Sequence, residues 1–96
     1  MRNYELSVVL FSTLSEEEKV ATLEKVKELI TRFGGEITNV DDWGKRKLAY
    51  EIEKQREGFY YIIQFQAEAG APAEIESRVR IMEQVLRYLI VSLEDK

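Results

Sequence analysis

The 96-residue chain contains no cysteine and no histidine. Without cysteine there is no disulfide framework and no thiolate nucleophile. Without either residue, zinc and other transition metals lose their two preferred ligands, and the commonest general base is missing. Carboxylate-only sites for hard cations stay open, but no cofactor and no metal are expected. Proline occurs once and glycine five times. The glycines are isolated or sit where a helix should stop, so none builds a phosphate-cradling loop. No apolar run approaches the roughly 18 residues of a membrane span, and the N-terminus has no signal-peptide core. A cytoplasmic protein without a membrane partner is expected.

What is present is 45% apolar and 33% charged, a soluble globular composition. The length suits one domain spanning residues 1–96. Tyr4 to Phe11 reads as a strand, with Tyr4, Leu6, Val8 and Leu10 on one face. Ser15, three residues before Glu18, opens a helix as a capping box, and Glu16, Glu17 and Glu18 suit the positive end of its dipole. Val20, Leu23, Val26, Ile30 and Phe33 form its apolar stripe, and Gly34-Gly35 ends it. Glu36 to Ile52 is strand-like but out of phase between Ile37 and Val40, with Gly44 as the expected bend. Lys54–Gly58 has the composition of a turn, and Phe59–Ala69 alternates as a strong strand. Ala71-Pro72 begins a second helix carrying Ile75, Val79 and Met82, and Val85 to Leu93 closes with a strand.

Strand, helix, strand, strand, helix, strand is the α+β ferredoxin-like βαββαβ sandwich, a four-stranded antiparallel sheet with two helices on one face. The first and third strands are the most apolar and belong at its centre. The second carries the charges that protect an edge.

One stretch departs from the acidic background. From Gly44 to Arg56 five cations (Lys45, Arg46, Lys47, Lys54, Arg56) face two carboxylates, a local +3 that leaves −7 for the rest of a chain at net −4. A positive ribbon on an acidic protein is a surface for an anionic partner.

Catalytic patterns are lacking. Asp41-Asp42 and Glu51/Glu53 lie near the hairpin, but adjacent strand residues point to opposite faces, and solvated edge charges explain them. Ser7, Ser12 and Ser77 have no supporting base. No enzyme and no small-molecule substrate are expected. The stretch Glu57 to Gln64 superficially resembles the strand-three signature of the RNA-recognition-motif family. It departs from it at Glu57 in place of a cation, Tyr60 at a small-residue position and Gln64 in place of an aromatic ring.

A fuller resemblance covers essentially the whole chain in three blocks. These are Met1-Arg2-Asn3-Tyr4-Glu5, then Gly44-Lys45-Arg46-Lys47-Leu48-Ala49-Tyr50-Glu51-Ile52 with Lys54 and Gly58-Phe59-Tyr60, and last Arg80-Ile81 through Val85-Leu86-Arg87. Together they resemble the bacterial small-subunit ribosomal protein S6 family. Glu53 departs from it, adding a negative charge where smaller or basic residues are usual. The resemblance implies a structural protein of the small ribosomal subunit. It would bind the central domain of 16S ribosomal RNA jointly with ribosomal protein S18 during 30S assembly. A chain at −4 is repelled by RNA at long range, which suits a joint binder more than an independent one.

The residues expected to contact RNA are Arg2, Lys45, Arg46, Lys47, Tyr50, Lys54, Arg56 and Arg87; for each single cation the alternative is a merely solvated charge. Trp43 and Leu48 are the expected contacts with the partner protein, though an indole at Trp43 suits core packing equally. Two other functions stay open from the residues alone: a small-ligand regulatory domain of the same fold, and a protein-interaction module using the free sheet edge.

Overall fold

A computed structural model describes residues 1–93. The elements run β1 (Arg2–Phe11), α1 (Glu16–Arg32), β2 (Glu36–Ile52), β3 (Gln55–Ala67), α2 (Ala71–Val79) and β4 (Val85–Ser92). The four strands form one sheet in the order β2-β3-β1-β4, and every neighbouring pair is antiparallel. The apolar strands are central and the charged β2 is an edge, as its composition requires.

Helix α1 begins as its sequence dictates. Ser15 Oγ accepts the Glu18 N–H at 3.1 Å, and Glu18 Oε1 accepts the Ser15 N–H at 2.8 Å, closing the capping box. At the other end Gly34 takes φ +87°, the Gly35 N–H reaches Ile30 O at 2.8 Å, and the Gly34 N–H reaches Thr31 O at 3.1 Å. That pair of bonds is a Schellman motif, which satisfies the last carbonyls and turns the chain into β2. The expected stripe of α1 holds at Val26 and Ile30, with Leu23 and Phe33 packed against the core, and differs at one margin. Thr22, Val26 and Ile30 are buried, whereas Val20 is exposed.

Both helices cover one face of the sheet. Val26 and Ile30 from α1 and Ile75 and Val79 from α2 meet Tyr4, Leu6, Ile63 and Phe65 from the two central strands. Each such side chain contributes about 1.5–3 kcal/mol on burial. Among the described residues no helix lies over the opposite face, which is open.

Strand β2 shifts register against β3 three times, not once: at Thr38, at Trp43 and between Lys47 and Ile52. Ile37 opposes Phe65 and Asn39 opposes Gln64, so Thr38 is an extra residue. This first bulge puts both Ile37 and Val40 on the core side despite their spacing of three. The second leaves Trp43 unopposed between Asp42 and Gly44, where Gly44 adopts φ +73°.

The hairpin turn lies earlier than the composition suggests. Ile52 opposes Gln55, and the two turn residues are Glu53 (φ +48°) and Lys54 (φ +65°), while Gln55–Gly58 belongs to β3. Two left-handed central residues make a type I′ connection, which favours asparagine and glycine over Glu and Lys. Left-handed backbone costs an ordinary residue roughly 1–2 kcal/mol. Replacing the pair as Glu53→Asn with Lys54→Gly is therefore expected to stabilise the fold by about 1 kcal/mol. Urea denaturation reads the gain, and a loss of stability would contradict the turn geometry.

Candidate nucleic-acid interface

Residues directly opposite one another across antiparallel strands share a face. The pairings Gly44–Tyr60, Lys45–Phe59, Arg46–Gly58 and Lys47–Glu57 therefore divide the basic ribbon. Phe59 packs with Val8, Leu10 and Tyr61 on the helix-covered side. Lys45 and Lys47 accordingly belong to that side, and Arg46 to the open face. The Lys45 ammonium lies 5.8 Å from the centroid of the Phe59 ring, and the Lys19 ammonium from α1 lies 4.3 Å from the same ring. The ribbon that looked continuous in sequence is thus two half-ribbons back to back.

On the open face, Val9 opposes Tyr60 on one side and Arg87 on the other, which continues the row that starts at Gly44. Arg87 belongs to β4, three strands from β2, a separation of about 14 Å in a flat sheet. Yet its guanidinium lies 5.8 Å from the ring of Tyr50. The end of the hairpin must curl across the open face to make that contact. The interruption of regular pairing between Lys47 and Ile52 is where it bends. Tyr50 and Arg87, distant in sequence, thereby become neighbours.

Three other expected residues converge on Tyr50. Lys47, Leu48, Tyr50 and Arg56 border one shallow depression beside Ser12 and Glu57. Lys54 sits in the turn itself. Arg2 does not join them. It opposes Ala67 at the start of β1, whereas the hairpin leaves the sheet near the Phe11–Gly58 pair. Nine residues of strand separate those ends, roughly 30 Å. Trp43 is 49% exposed at the bulge, so it is not a core residue, and Leu48 is half-buried.

Sequence reasoning missed the apolar part of the open face. Leu89 and Val91 on β4 oppose Ser7 and Glu5 and are exposed at 57% and 39%. Beside them Ser7, Val9, Tyr60 and Arg87 line a small depression. The alternation of β4 carried this signal, since Tyr88 and Ile90 pack on the core and leave Arg87, Leu89 and Val91 on the other side.

One ionisable cluster ties α1 to the base of the hairpin. Burial pushes the Tyr61 hydroxyl above its ordinary pKa, and the Asp42 carboxylate adds to the rise. For Lys19 burial acts downward, but the hydrogen bond to Glu16, with Tyr61 and Asp42, outweighs it and holds the ammonium above its usual value. Lys19 pairs with Glu16 at 3.2 Å. Both groups keep their protonated forms through neutral pH, so this end of α1 has a fixed charge pattern.

Among the described residues no group of three or more acidic side chains is placed to hold a metal ion, and no helix is long and apolar enough to cross a membrane. A ferredoxin-like sandwich with one uncovered sheet face, bordered by cations and exposed apolar side chains, is a scaffold for binding a partner. Its class is that of small α+β proteins that present a sheet face and a hairpin.

Comparison with known proteins narrows the class to a family. The model of the family described as Ribosomal protein S6 matches residues 3–92. A small ribosomal subunit protein bS6 from Caldanaerobacter subterraneus subsp. tengcongensis is 48% identical over 95 residues, covering 99% of this chain and all of the relative. The bS6 protein of Campylobacter lari is 49% identical over 96 residues, all of this chain and 77% of its own length. The crystal structure of 30S ribosomal protein S6 from Thermotoga maritima superposes with a TM-score of 0.91 at 33% identity, covering 95% of this chain and 86% of that one. The chain belongs to the ribosomal protein S6 family. It is a structural component of the small ribosomal subunit, in the cytoplasm, where it associates with ribosomal RNA and proteins, and it is not an enzyme.

Proposed function

We propose that the chain, acting as a single domain over residues 1–96, binds the central domain of 16S ribosomal RNA jointly with ribosomal protein S18 during 30S assembly. The observation that carries this reading is the mixed chemistry of the open face and hairpin. Arg46 and Arg87 supply guanidinium forks suited to phosphate, and Lys47, Lys54 and Arg56 act around the hairpin. Tyr50, held beside Arg87, offers a ring for stacking. Next to these cations stand the exposed apolar side chains Leu89 and Val91 and the indole of Trp43, with Leu48 at the hairpin depression. Such apolar groups favour a protein partner. RNA and protein contacts therefore adjoin on the open face and around the hairpin, whose depression Lys47 borders from the helix-covered side. The net charge of −4 points the same way, because a second, basic protein would complete the positive field. Lys45, partly engaged with Phe59, and the distant Arg2 are outlying contacts in this arrangement.

The test is binding to central-domain ribosomal RNA with and without the partner, across a range of salt concentrations. The double reversal Arg46→Glu, Lys47→Glu should weaken joint binding strongly and lower the salt slope by about 1 for each phosphate that is no longer neutralised. Unchanged, salt-dependent joint binding would show that the surface is misplaced. Binding to the partner protein that is indifferent to RNA would favour the protein-interaction reading, a module that uses the free sheet edge.

A further inference from the structure

In the middle of β2 one hydrogen bond crosses the Trp43 bulge. Asp42 Oδ1 accepts the Gly44 N–H at 2.8 Å, spanning the residue that has no opposite number on β3. Gly44 holds φ +73°, and a Cβ there would meet nothing within 4 Å, so the backbone angle alone calls for glycine. Beyond the bulge, Arg46 Nε donates to the Trp43 carbonyl at 3.0 Å, and its guanidinium lies 5.5 Å from the indole centroid. The ion pairs among the described residues, Lys19–Glu16 and Lys27–Glu24, leave Arg46 out. Its direction is thus set by one carbonyl and one ring, both belonging to Trp43. The orientation of Trp43 in turn depends on the bulge that Asp42 closes.

We propose that Asp42 is a positioning residue: its carboxylate fixes the Trp43 bulge, and the bulge aims Arg46 along the open face while keeping the indole exposed. This role rests on the interface reading above, in which Arg46 and Trp43 contact the partners. The residue type supports it. A carboxylate beside a polyanion's binding surface is electrostatically unfavourable, so its presence there needs a local structural reason, and the bond to Gly44 supplies one. Asp42 opposes Tyr61 and so lies on the helix-covered side, away from Arg46, with the Lys19 ammonium acting on the same cluster. Its carboxylate stays off the open face while its oxygen is used.

Because asparagine keeps the acceptor oxygen and removes the charge, Asp42→Asn and Asp42→Ala separate the two effects. Both lose the negative charge, so any difference between them reports the hydrogen bond. Joint binding to central-domain ribosomal RNA and the partner should weaken about fivefold in Asp42→Ala relative to Asp42→Asn. In an Arg46→Ala background the difference between the two substitutions should shrink to the part carried by Trp43, since one of the two side chains set by the bulge is gone. In the free protein, the Arg46 Nε proton should be protected from exchange in wild type and Asp42→Asn and unprotected in Asp42→Ala. Equal affinities for the two Asp42 variants, or an undiminished difference in the Arg46→Ala background, would overturn the positioning role. If Arg46→Ala alone leaves joint binding unchanged, the interface reading falls and this one with it. If Arg46→Ala weakens binding while both Asp42 variants bind alike, only the role of Asp42 falls.

Discussion

Phe65→Ala is expected to destabilise the fold by about 3–5 kcal/mol, the usual range for emptying a well-packed aromatic site. Phe65 is 1% exposed near the C-terminal end of β3, opposite Tyr4 on β1 and Ile37 on β2. Its ring centroid lies 5.7 Å from that of Tyr4 at an interplanar angle of 31°, a tilted packing. It also reaches the Schellman turn, where a Cβ built on Gly35 would stand 3.4 Å from the ring. Removing the ring therefore leaves a void bounded by both central strands, α1 and the helix terminus, and no single side chain can collapse into it. Small domains hold only about 5–15 kcal/mol in total, so the variant should sit close to its unfolding threshold. Urea denaturation measures the loss. Ile81→Ala, at a side chain 75% exposed, should stay within about 0.5 kcal/mol and serves as the control. A Phe65→Ala loss no larger than that of the control would mean the core is not organised around this ring.

The parts of the fold that were legible in sequence are those fixed by local chemistry. Ser15 with Glu18 and Gly34 with Gly35 announced both ends of α1 because caps are made by residues adjacent in the chain. The central and edge strands were legible because apolar content tracks burial. The margin of the buried face of α1 was not, since tertiary packing sets which side chains fill it. The buried row runs Thr22–Val26–Ile30 at spacings of four, and Val20, two positions earlier, lies about 200° round the helix. Threonine was an unpromising core residue until its partner was visible: the Thr22 hydroxyl donates to Glu18 O at 2.7 Å and needs nothing else.

The candidate interface divides in the same way. A count of charges located the basic hairpin, but charge counting is blind to face. The pairing of β2 with β3, shifted by two bulges, is what sends Arg46 one way and Lys45 and Lys47 the other. The meeting of Tyr50 with Arg87 is a long-range consequence of a curled hairpin, and nothing local encodes it. Asp42, by contrast, left a readable trace. An aspartate two residues before a glycine is a known way to close a local turn, and here it closes a bulge.

Gly58 is where turn composition and strand geometry compete, and it supports the second large expected effect. Glycine near a hairpin suggests a turn, yet Gly58 is buried in β3, opposite Phe11 on β1 and Arg46 on β2. A Cβ built there would stand 2.4 Å from Val9 Cγ1 and 3.0 Å from the Leu10 carbonyl oxygen. The glycine is thus required for close approach of two central strands rather than for an unusual backbone angle. Gly58→Ala should cost about 1–3 kcal/mol by overpacking. The two obstacles differ in kind, because a valine methyl can be removed and a backbone carbonyl cannot. Adding Val9→Ala should therefore recover part of the loss, leaving the double variant more stable than the sum of the single effects predicts. Additive effects would show that the carbonyl contact, or some other site, carries the whole cost. Because Gly58 also opposes Arg46, a strand forced outward here would move the cation on the open face. Joint RNA binding by Gly58→Ala should then fall by more than the unfolded fraction explains, and the Val9→Ala partner should restore it in step with stability.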